Sequence, residues 1–265
     1  MKADYKLLGI MPVIGLGTWE MTGSVCTESV ISALDLGYRH IDTAQIYGNE
    51  KEVGKAIQQS RIKREDIFLT TKIATSNLTS GRIRYTTSES LERLATGYID
   101  LLLIHWPTSE MNLRDCLETM FELRDQGLVR YVGVSNFDTY LFREAIDFGP
   151  VLTNQLKFSP YHGEFENLKL SKEHEKIITA YSPLARGGIT NDKTLNKIGE
   201  KYGKTAAQVT LRWLIQLGNV SVIPKANSEL HQKENLEIFD FELSVEDADR
   251  IRQLSKNLSG DIFLQ

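Results

Sequence analysis

Eight short apolar runs, each separated from the next by a stretch of helical periodicity, dominate the sequence. They fall at residues 11–16, 38–42, 67–72, 99–105, 129–135, 152–155, 177–180 and 221–224. Several, such as Leu101-Leu102-Leu103-Ile104, are apolar without alternation, the pattern of parallel strands covered on both faces. Between them, Leu113, Cys116, Leu117, Met120 and Phe121 repeat at the spacing of one helix face. Asn112 precedes that run as an N-cap, with Asp115 three residues on. Thr205 with Gln208 forms a capping box, Ser244 stands in the same relation to Asp247, and Gly127 suits a left-handed residue after a helix. Strands alternating with helices specify an α/β fold, and the expected architecture is a single (β/α)8 TIM barrel spanning residues 1–265. An open doubly wound sheet is the competing layout. No GxGxxG turn follows an early strand and no GxxxxGK[ST] loop occurs, and both absences count against it.

Composition narrows the function. With 31 basic and 35 acidic residues the chain carries a formal charge of −4 and has no basic block, so a nucleic-acid partner is not expected. No apolar run approaches the ~18 residues of a membrane span, and residues 1–5 open no signal peptide. A cytoplasmic protein without a membrane partner is expected. Cys26 and Cys116 form no CxxC pair and both sit in apolar helical patterns, so buried thiols are expected. The sequons at Asn77, Asn219 and Asn257 carry little weight without a secretory signal.

In a barrel the active site lies where the strands end. Here the strands end on Asp42 (with Tyr47 in the following loop), Lys72, His105-Trp106, Ser135-Asn136, Asn154-Gln155, Tyr181-Ser182 and Pro224-Lys225. One polar ending is routine; an Asp, a Lys and a His on neighbouring strands point to a shared site. A tyrosine phenol, with a pKa near 10, is a poor acid at neutral pH, and a lysine beside it is expected to lower that pKa. A buried lysine keeps its charge only if paired, and Asp42 supplies the partner. His105 is placed to donate to a carbonyl oxygen. Together these residues make a general-acid centre aimed at an oxygen that gains charge, and their spacing is not that of a metal site.

Several longer motifs accompany these residues. They are Gly37-Tyr38-Arg39-His40-Ile41-Asp42-Thr43-Ala44, then Tyr47-Gly48-Asn49-Glu50 and Val53-Gly54, then Asp100-Leu101-Leu102-Leu103-Ile104-His105-Trp106-Pro107. Val132-Gly133-Val134-Ser135-Asn136-Phe137, Tyr181-Ser182-Pro183-Leu184 and Ile223-Pro224-Lys225 complete the series. In order and content, from about Met11 to Ile251, the chain resembles the aldo-keto reductases. The resemblance implies a (β/α)8 barrel that reduces aldehydes and ketones to alcohols with NADPH, an alcohol dehydrogenase (NADP+) activity in the reverse sense. It makes Tyr47 the general acid, supported by Lys72, Asp42 and His105. It assigns Ser135, Asn136 and Gln155 to the nicotinamide carboxamide, and Tyr181 to its ring. Gly17, Thr18 and Trp19 line the nicotinamide and the substrate, with Trp106 as a further substrate wall. Ser182, Leu184, Gly187 and Gly188 follow the pyrophosphate, Lys225 meets the 2′-phosphate, and Glu234 and Asn235 contact adenine.

The sequence also departs from the family pattern. Ala226 follows Lys225 where a hydroxyl is frequent, and His231 stands where many members carry arginine. His231 is expected beside the adenosine, with NADPH preferred and NADH a weaker alternative. The segment between Pro107 and Leu113 is short, as is the chain after Leu254, so an open pocket accepting many small carbonyls is expected. A monomer is expected. Two other classes compete: a non-catalytic nucleotide-binding barrel, against which the filled catalytic positions count, and a metal-dependent hydrolase, which needs more strand-end ligands than the single histidine present.

Overall fold

A computed structural model describes residues 6–261. The expectations for residues 1–5 and for the side chain of Asn257 lie outside the described residues. Eight parallel strands form one sheet in sequential order: β3 (Leu16–Gly17), β4 (His40–Asp42), β5 (Phe68–Ile73), β6 (Ile99–Ile104), β7 (Val129–Ser135), β8 (Val151–Lys157), β9 (Ile177–Tyr181) and β10 (Val220–Ile223). Hydrogen bonds from Gly15 N–H to the Val222 carbonyl (2.9 Å) and from Gly17 N–H to the Pro224 carbonyl (3.1 Å) join the last strand to the first. The architecture is a (β/α)8 TIM barrel. Gly17 is required at this seam, because a Cβ there would stand 2.8 Å from the Ile223 carbonyl oxygen.

The first apolar run departs from expectation. Residues 11–16 do not form one barrel strand. β2 (Met11–Pro12) pairs antiparallel with β1 (Lys6–Leu7); Ile14 then bridges Val222 of β10 in parallel, and Leu16–Gly17 enters the sheet as a strand. Pro12 has no N–H to give to a barrel ladder, and this confines it to an edge pairing. The other seven runs become barrel strands with ends moved by at most two residues. All six residues of β6 are buried, as a strand covered on both faces requires.

Helices cover the outside of the barrel: α1 (Gly23–Leu36), α2 (Glu50–Gln59), α3 (Ser80–Arg93), α4 (Leu113–Asp125), α5 (Thr139–Phe148), α6 (Phe165–Glu173), α7 (Lys193–Tyr202), α8 (Ala206–Gln216), α9 (Glu229–Leu236) and α10 (Val245–Asp261). Their ends follow local chemistry. The Asn112 side chain accepts from Asp115 N–H, Thr205 and Gln208 form the reciprocal capping box, and Ser244 accepts from Asp247 N–H. Gly127 adopts φ 77° after α4. Each cap sets where a helix begins, and the Asn112 cap so fixes the length of the loop between β6 and α4. Cys26 and Cys116 are buried, and burial pushes both thiols above their ordinary range, to about 12 and about 11. No described helix is long and apolar enough to cross a membrane.

Candidate active site

Strand alternation brings His40 and Asp42 to one face of β4, and Lys72 enters from β5 beside them. Lys72 is fully buried at the barrel's C-terminal end. Its Nζ donates to Asp42 Oδ1 at 2.5 Å, to the Thr43 carbonyl at 2.8 Å and to Tyr47 Oη at 3.3 Å. These three acceptors use the three hydrogens of an ammonium. The second Asp42 oxygen accepts from Gln155 Nε2 at 2.7 Å, so neither carboxylate oxygen lacks a partner. Burial alone draws the lysine pKa down; the Asp42 charge and the bonds to Asp42 and Tyr47 outweigh it and hold the ammonium above its ordinary range.

For Tyr47 the direction is opposite to the sequence-based expectation. Burial of the phenol raises its pKa; Lys72 pulls it back, Asp42 adds to the rise, and the net position is above the ordinary value. The expectation counted the lysine charge and not the desolvation of the phenol or the aspartate behind the lysine. Tyr47 therefore holds its proton firmly at neutral pH, and the lysine limits how firmly.

His105 closes the group. Its ring meets the Tyr47 ring edge-on, with centroids 5.7 Å apart. Burial, and then the Lys72 charge, push its pKa down to about 4, so the imidazole is neutral at physiological pH. Its Nδ1 is buried without a hydrogen-bond partner among the described residues. Such an orphan is rare in folded proteins, and His40 Nδ1 deeper in the barrel is another.

A second polar network borders the first. Asn136, at φ 62°, donates from Nδ2 to the His105 carbonyl and to Ser135 Oγ, both at 3.0 Å. The Ser135 hydroxyl donates to the Gln155 carbonyl at 2.8 Å, and the Tyr181 hydroxyl donates to Asn136 Oδ1 at 2.9 Å, pinning the ring. Past Tyr181 the chain has positive φ at Ser182 (47°), Ala185 (47°), Arg186 (54°) and Gly187 (86°). Non-glycine residues pay for that conformation and cluster at binding sites, and successive turns of this kind present backbone N–H groups to anions. Leu184 is half-buried in this loop and Gly188 is exposed.

The first-strand loop faces that turn. The Thr18 hydroxyl donates to the Asp42 carbonyl at 2.9 Å, and the Arg186 guanidinium lies 4.6 Å over the Trp19 ring. Lys225 Nζ stands 3.6 Å from Glu20 Oε2 across the same mouth. Trp106 is 47% exposed at the rim. His231, Glu234 and Asn235 lie on α9, where His231 is exposed and Asn235 is buried. The structure thus gathers Asp42, Tyr47, Lys72 and His105 into one contact group and sets Ser135, Asn136, Gln155 and Tyr181 against it. Lys225 and the α9 residues stand further out along the rim.

Some residues of the site did not stand out in the sequence. Asn49 is fully buried; it donates to the Thr18 and Met21 carbonyls at 2.9 Å and accepts from the Thr43 hydroxyl at 2.6 Å, tying the loop after β4 to the loop after β3. Its place beside Tyr47 in the signature was the available signal. Gln45, Glu20 and Arg186 gave none, because their contacts join loops distant in sequence.

The sequence model of the Aldo/keto reductase family matches residues 13–256. The chain belongs to this family. It is 40% identical over 248 residues to an aldo-keto reductase of Mycobacterium avium (strain 104), covering 92% of this chain and 87% of that one. It is 38% identical over 252 residues to the methylglyoxal reductase DkgB of Escherichia coli O157:H7, covering 93% and 94%. The crystal structure of an aldo/keto reductase from Brucella melitensis superposes with a TM-score of 0.87 at 39% identity, covering 92% of this chain and 95% of that one. An aldo-keto reductase is an oxidoreductase that reduces carbonyl groups.

Proposed function

We propose that this aldo-keto reductase reduces small aldehydes and ketones to alcohols with NADPH, and that Tyr47 delivers the proton. The observation that carries the reading is the buried Lys72 ammonium, bonded at once to Asp42 (2.5 Å) and to the Tyr47 hydroxyl (3.3 Å). The donor set fits a nicotinamide dinucleotide. Gln155 donates to Asp42 and keeps its amide oxygen as an acceptor for a carboxamide, beside Ser135 and Asn136. Tyr181, held by Asn136, offers a flat face to the ring. The turn over Ser182, Leu184, Gly187 and Gly188 suits a pyrophosphate. Lys225 is the cation for a 2′-phosphate, with His231, Glu234 and Asn235 toward the adenine and Gly17, Thr18 and Trp19 at the nicotinamide end. When bound, the reduced nicotinamide supplies a hydride to the carbonyl carbon.

The chain's own residues do the rest. The substrate carbonyl oxygen takes the place between Tyr47 Oη and His105. As negative charge builds on that oxygen, Tyr47 gives up its proton and the Lys72 ammonium stabilises the phenolate left behind. Asp42 keeps the ammonium charged through the cycle. Neutral His105 donates one hydrogen bond and orients the oxygen without competing as an acid. Trp19 and Trp106 are apolar walls that exclude water beside this polar centre. The exposed rim at Trp106 supports a broad range of carbonyls, including α-dicarbonyls, the class to which the substrate in the name of the Escherichia coli relative belongs.

The test is Tyr47→Phe. Reduction of a simple aromatic aldehyde is expected to fall at least ~10²-fold while NADPH still binds. A phenylalanine enzyme with wild-type kcat overturns the assignment.

A further inference from the structure

Tyr47 sits on a support too short to hold itself. Residues Gln45–Tyr47 make one turn of 3-10 helix, closed by Tyr47 N–H to the Ala44 carbonyl (3.0 Å) and ended by Gly48 at φ 66°. A single turn of this type has no rigidity of its own. Ile46, between the two polar residues, is 60% exposed and anchors nothing. The 3.3 Å contact between Tyr47 and Lys72 must therefore be set from outside the turn.

On the far side of Tyr47 Asn49 ties the loop to the loop after β3, and on the near side the Gln45 side chain makes the connection. Its Oε1 accepts from Ala74 N–H at 2.9 Å and from Asn77 Nδ2 at 3.2 Å. Its Nε2 donates to the Thr86 carbonyl at 3.2 Å and to Ser90 Oγ at 3.3 Å. One amide thus ties the turn to the end of β5 and to α3. Glu50, the first residue of α2, makes a parallel connection. It is buried, accepts from the Thr71 hydroxyl at 2.6 Å and from Arg93 Nε at 2.7 Å, and accepts from the Ser90 hydroxyl at 3.3 Å. Thr71 immediately precedes Lys72 on β5. Ser90 is thus a node through which the residue that starts the tyrosine turn and the residue that grips the lysine strand share a partner. A cavity of about 350 Å3 lies against Gln45, Glu50, Asn77, Thr86 and Arg93. It leaves room for the turn to settle outward if the bonds are lost.

We infer that Gln45, with Ser90 as its partner, is a positioning residue for the reduction: it fixes the height of Tyr47 over Lys72. The inference rests on Tyr47 being the proton donor. Gln45 touches neither substrate nor coenzyme in this scheme and acts only through Tyr47. A misplacement of ~1 Å at a reacting group costs up to ~10²-fold in rate.

The experiment measures kcat, KM and the pH profile for Gln45→Met and Ser90→Ala, each alone and combined with Tyr47→Phe. Gln45→Met keeps the side-chain length and removes all four bonds; Ser90→Ala removes only the node. Gln45→Met is expected to lower kcat about 10- to 100-fold and Ser90→Ala several-fold, with the KM for NADPH changed less than about twofold. The rising limb of alcohol oxidation, where Tyr47 must be deprotonated to act as the base, is expected to move to higher pH, since a tyrosine further from Lys72 is harder to deprotonate. In the Tyr47→Phe background neither variant is expected to lower the rate further, because residues acting through one group are not additive. Wild-type kcat in both brace variants, alongside a crippled Tyr47→Phe, overturns the brace alone. The full loss persisting on top of Tyr47→Phe also overturns it, as a general structural defect. Wild-type kcat in Tyr47→Phe overturns the proton-donor reading and the brace with it. Should Gln45→Met fail to fold, Ser90→Ala decides by the same criteria.

Discussion

The two ends of the barrel use buried charge in opposite ways. At the N-terminal end Asp100 accepts from Leu69 N–H (3.0 Å), Arg64 Nη2 (2.7 Å) and Arg130 Nη1 (3.0 Å). Both guanidiniums flank the Tyr98 ring, at 4.1 and 3.9 Å from its centroid. At the C-terminal end Lys72 and Asp42 are more deeply buried, yet a tyrosine hydroxyl and an unpartnered imidazole nitrogen are brought against them. The lower cluster satisfies its charges with one another and with the backbone. The upper cluster directs a charge at a group that has to change protonation state. Buried ion pairs are weak evidence of function until the group they poise is identified.

The comparison can be broken by removing one charge at each end. Lys72→Met is expected to lower kcat by ~10³-fold or more and to destabilise the fold by about 3 kcal/mol, because Asp42 is left buried without its counter-charge. Asp42→Asn is expected to cost less, since the ammonium remains beside Tyr47. Finding Asp42→Asn the more damaging in steady-state kinetics overturns the roles given to the pair. Asp100→Ala is expected to cost a similar 2–4 kcal/mol in denaturant unfolding, on the order seen for broken buried pairs, with kcat within about twofold of wild type. A matching loss of kcat removes the distinction between the two ends.

Acid sharpens the comparison from inside the barrel. His40 and His105 are both held neutral, with pKa values pushed down to about 4, in each case first by burial. The unfolded chain binds these protons near pH 6.5 and the folded one does not. Stability from the two residues is therefore complete above about pH 6.5 and is lost as pH falls toward 4. Thermal unfolding followed across that range should show a falling Tm, and His40→Asn should flatten the fall without changing the coenzyme KM. A Tm independent of pH over the window contradicts the neutral imidazoles.

The smallest expected effects lie at the rim, where charges are solvated. Lys225→Ala should lower the NADPH/NADH ratio of kcat/KM several-fold, and His231→Arg should raise it, since arginine offers a charged, planar fork to phosphate. Because Glu20 lies 3.6 Å from Lys225, Glu20→Gln should raise the ratio up to about fivefold, the scale of an exposed ion pair. A ratio indifferent to Lys225→Ala shows that the phosphate is held elsewhere.

What the sequence makes legible follows from the range over which each interaction acts. The caps at Asn112 and Thr205 and the turn at Gly127 are local and appear where spacing puts them. Asp42, Lys72 and His105 were legible because each ends a strand, and strand order fixes their neighbours. The run at 11–16 is only half a barrel strand, because apolar character does not distinguish the hairpin at Met11–Pro12 from the barrel pairing that begins at Val13 and Ile14. The bonds of Gln45 to Ala74, Thr86 and Ser90, and the stacking of Arg186 on Trp19, join residues whose proximity is created only by the closed barrel. The raised pKa of Tyr47 was hidden for a related reason: desolvation depends on everything packed around a group, and no single neighbour in the sequence announces it.

The seam also has a consequence for biosynthesis. Gly15 and Gly17 close the cylinder on Val222 and Pro224, and the Ser221 hydroxyl reaches back to the Pro12 carbonyl at 2.9 Å. The two edges that meet are separated along the chain by all the other strands of the sheet. A nascent chain that has not yet emerged beyond residue 219 lacks β10 and holds seven strands with an unpaired margin on each side. Thr18 and Trp19 are then already made, while Lys225 is still to come. The barrel therefore closes only once β10 is made, and until then the outer margins of β3 and β9 have no strand to pair with.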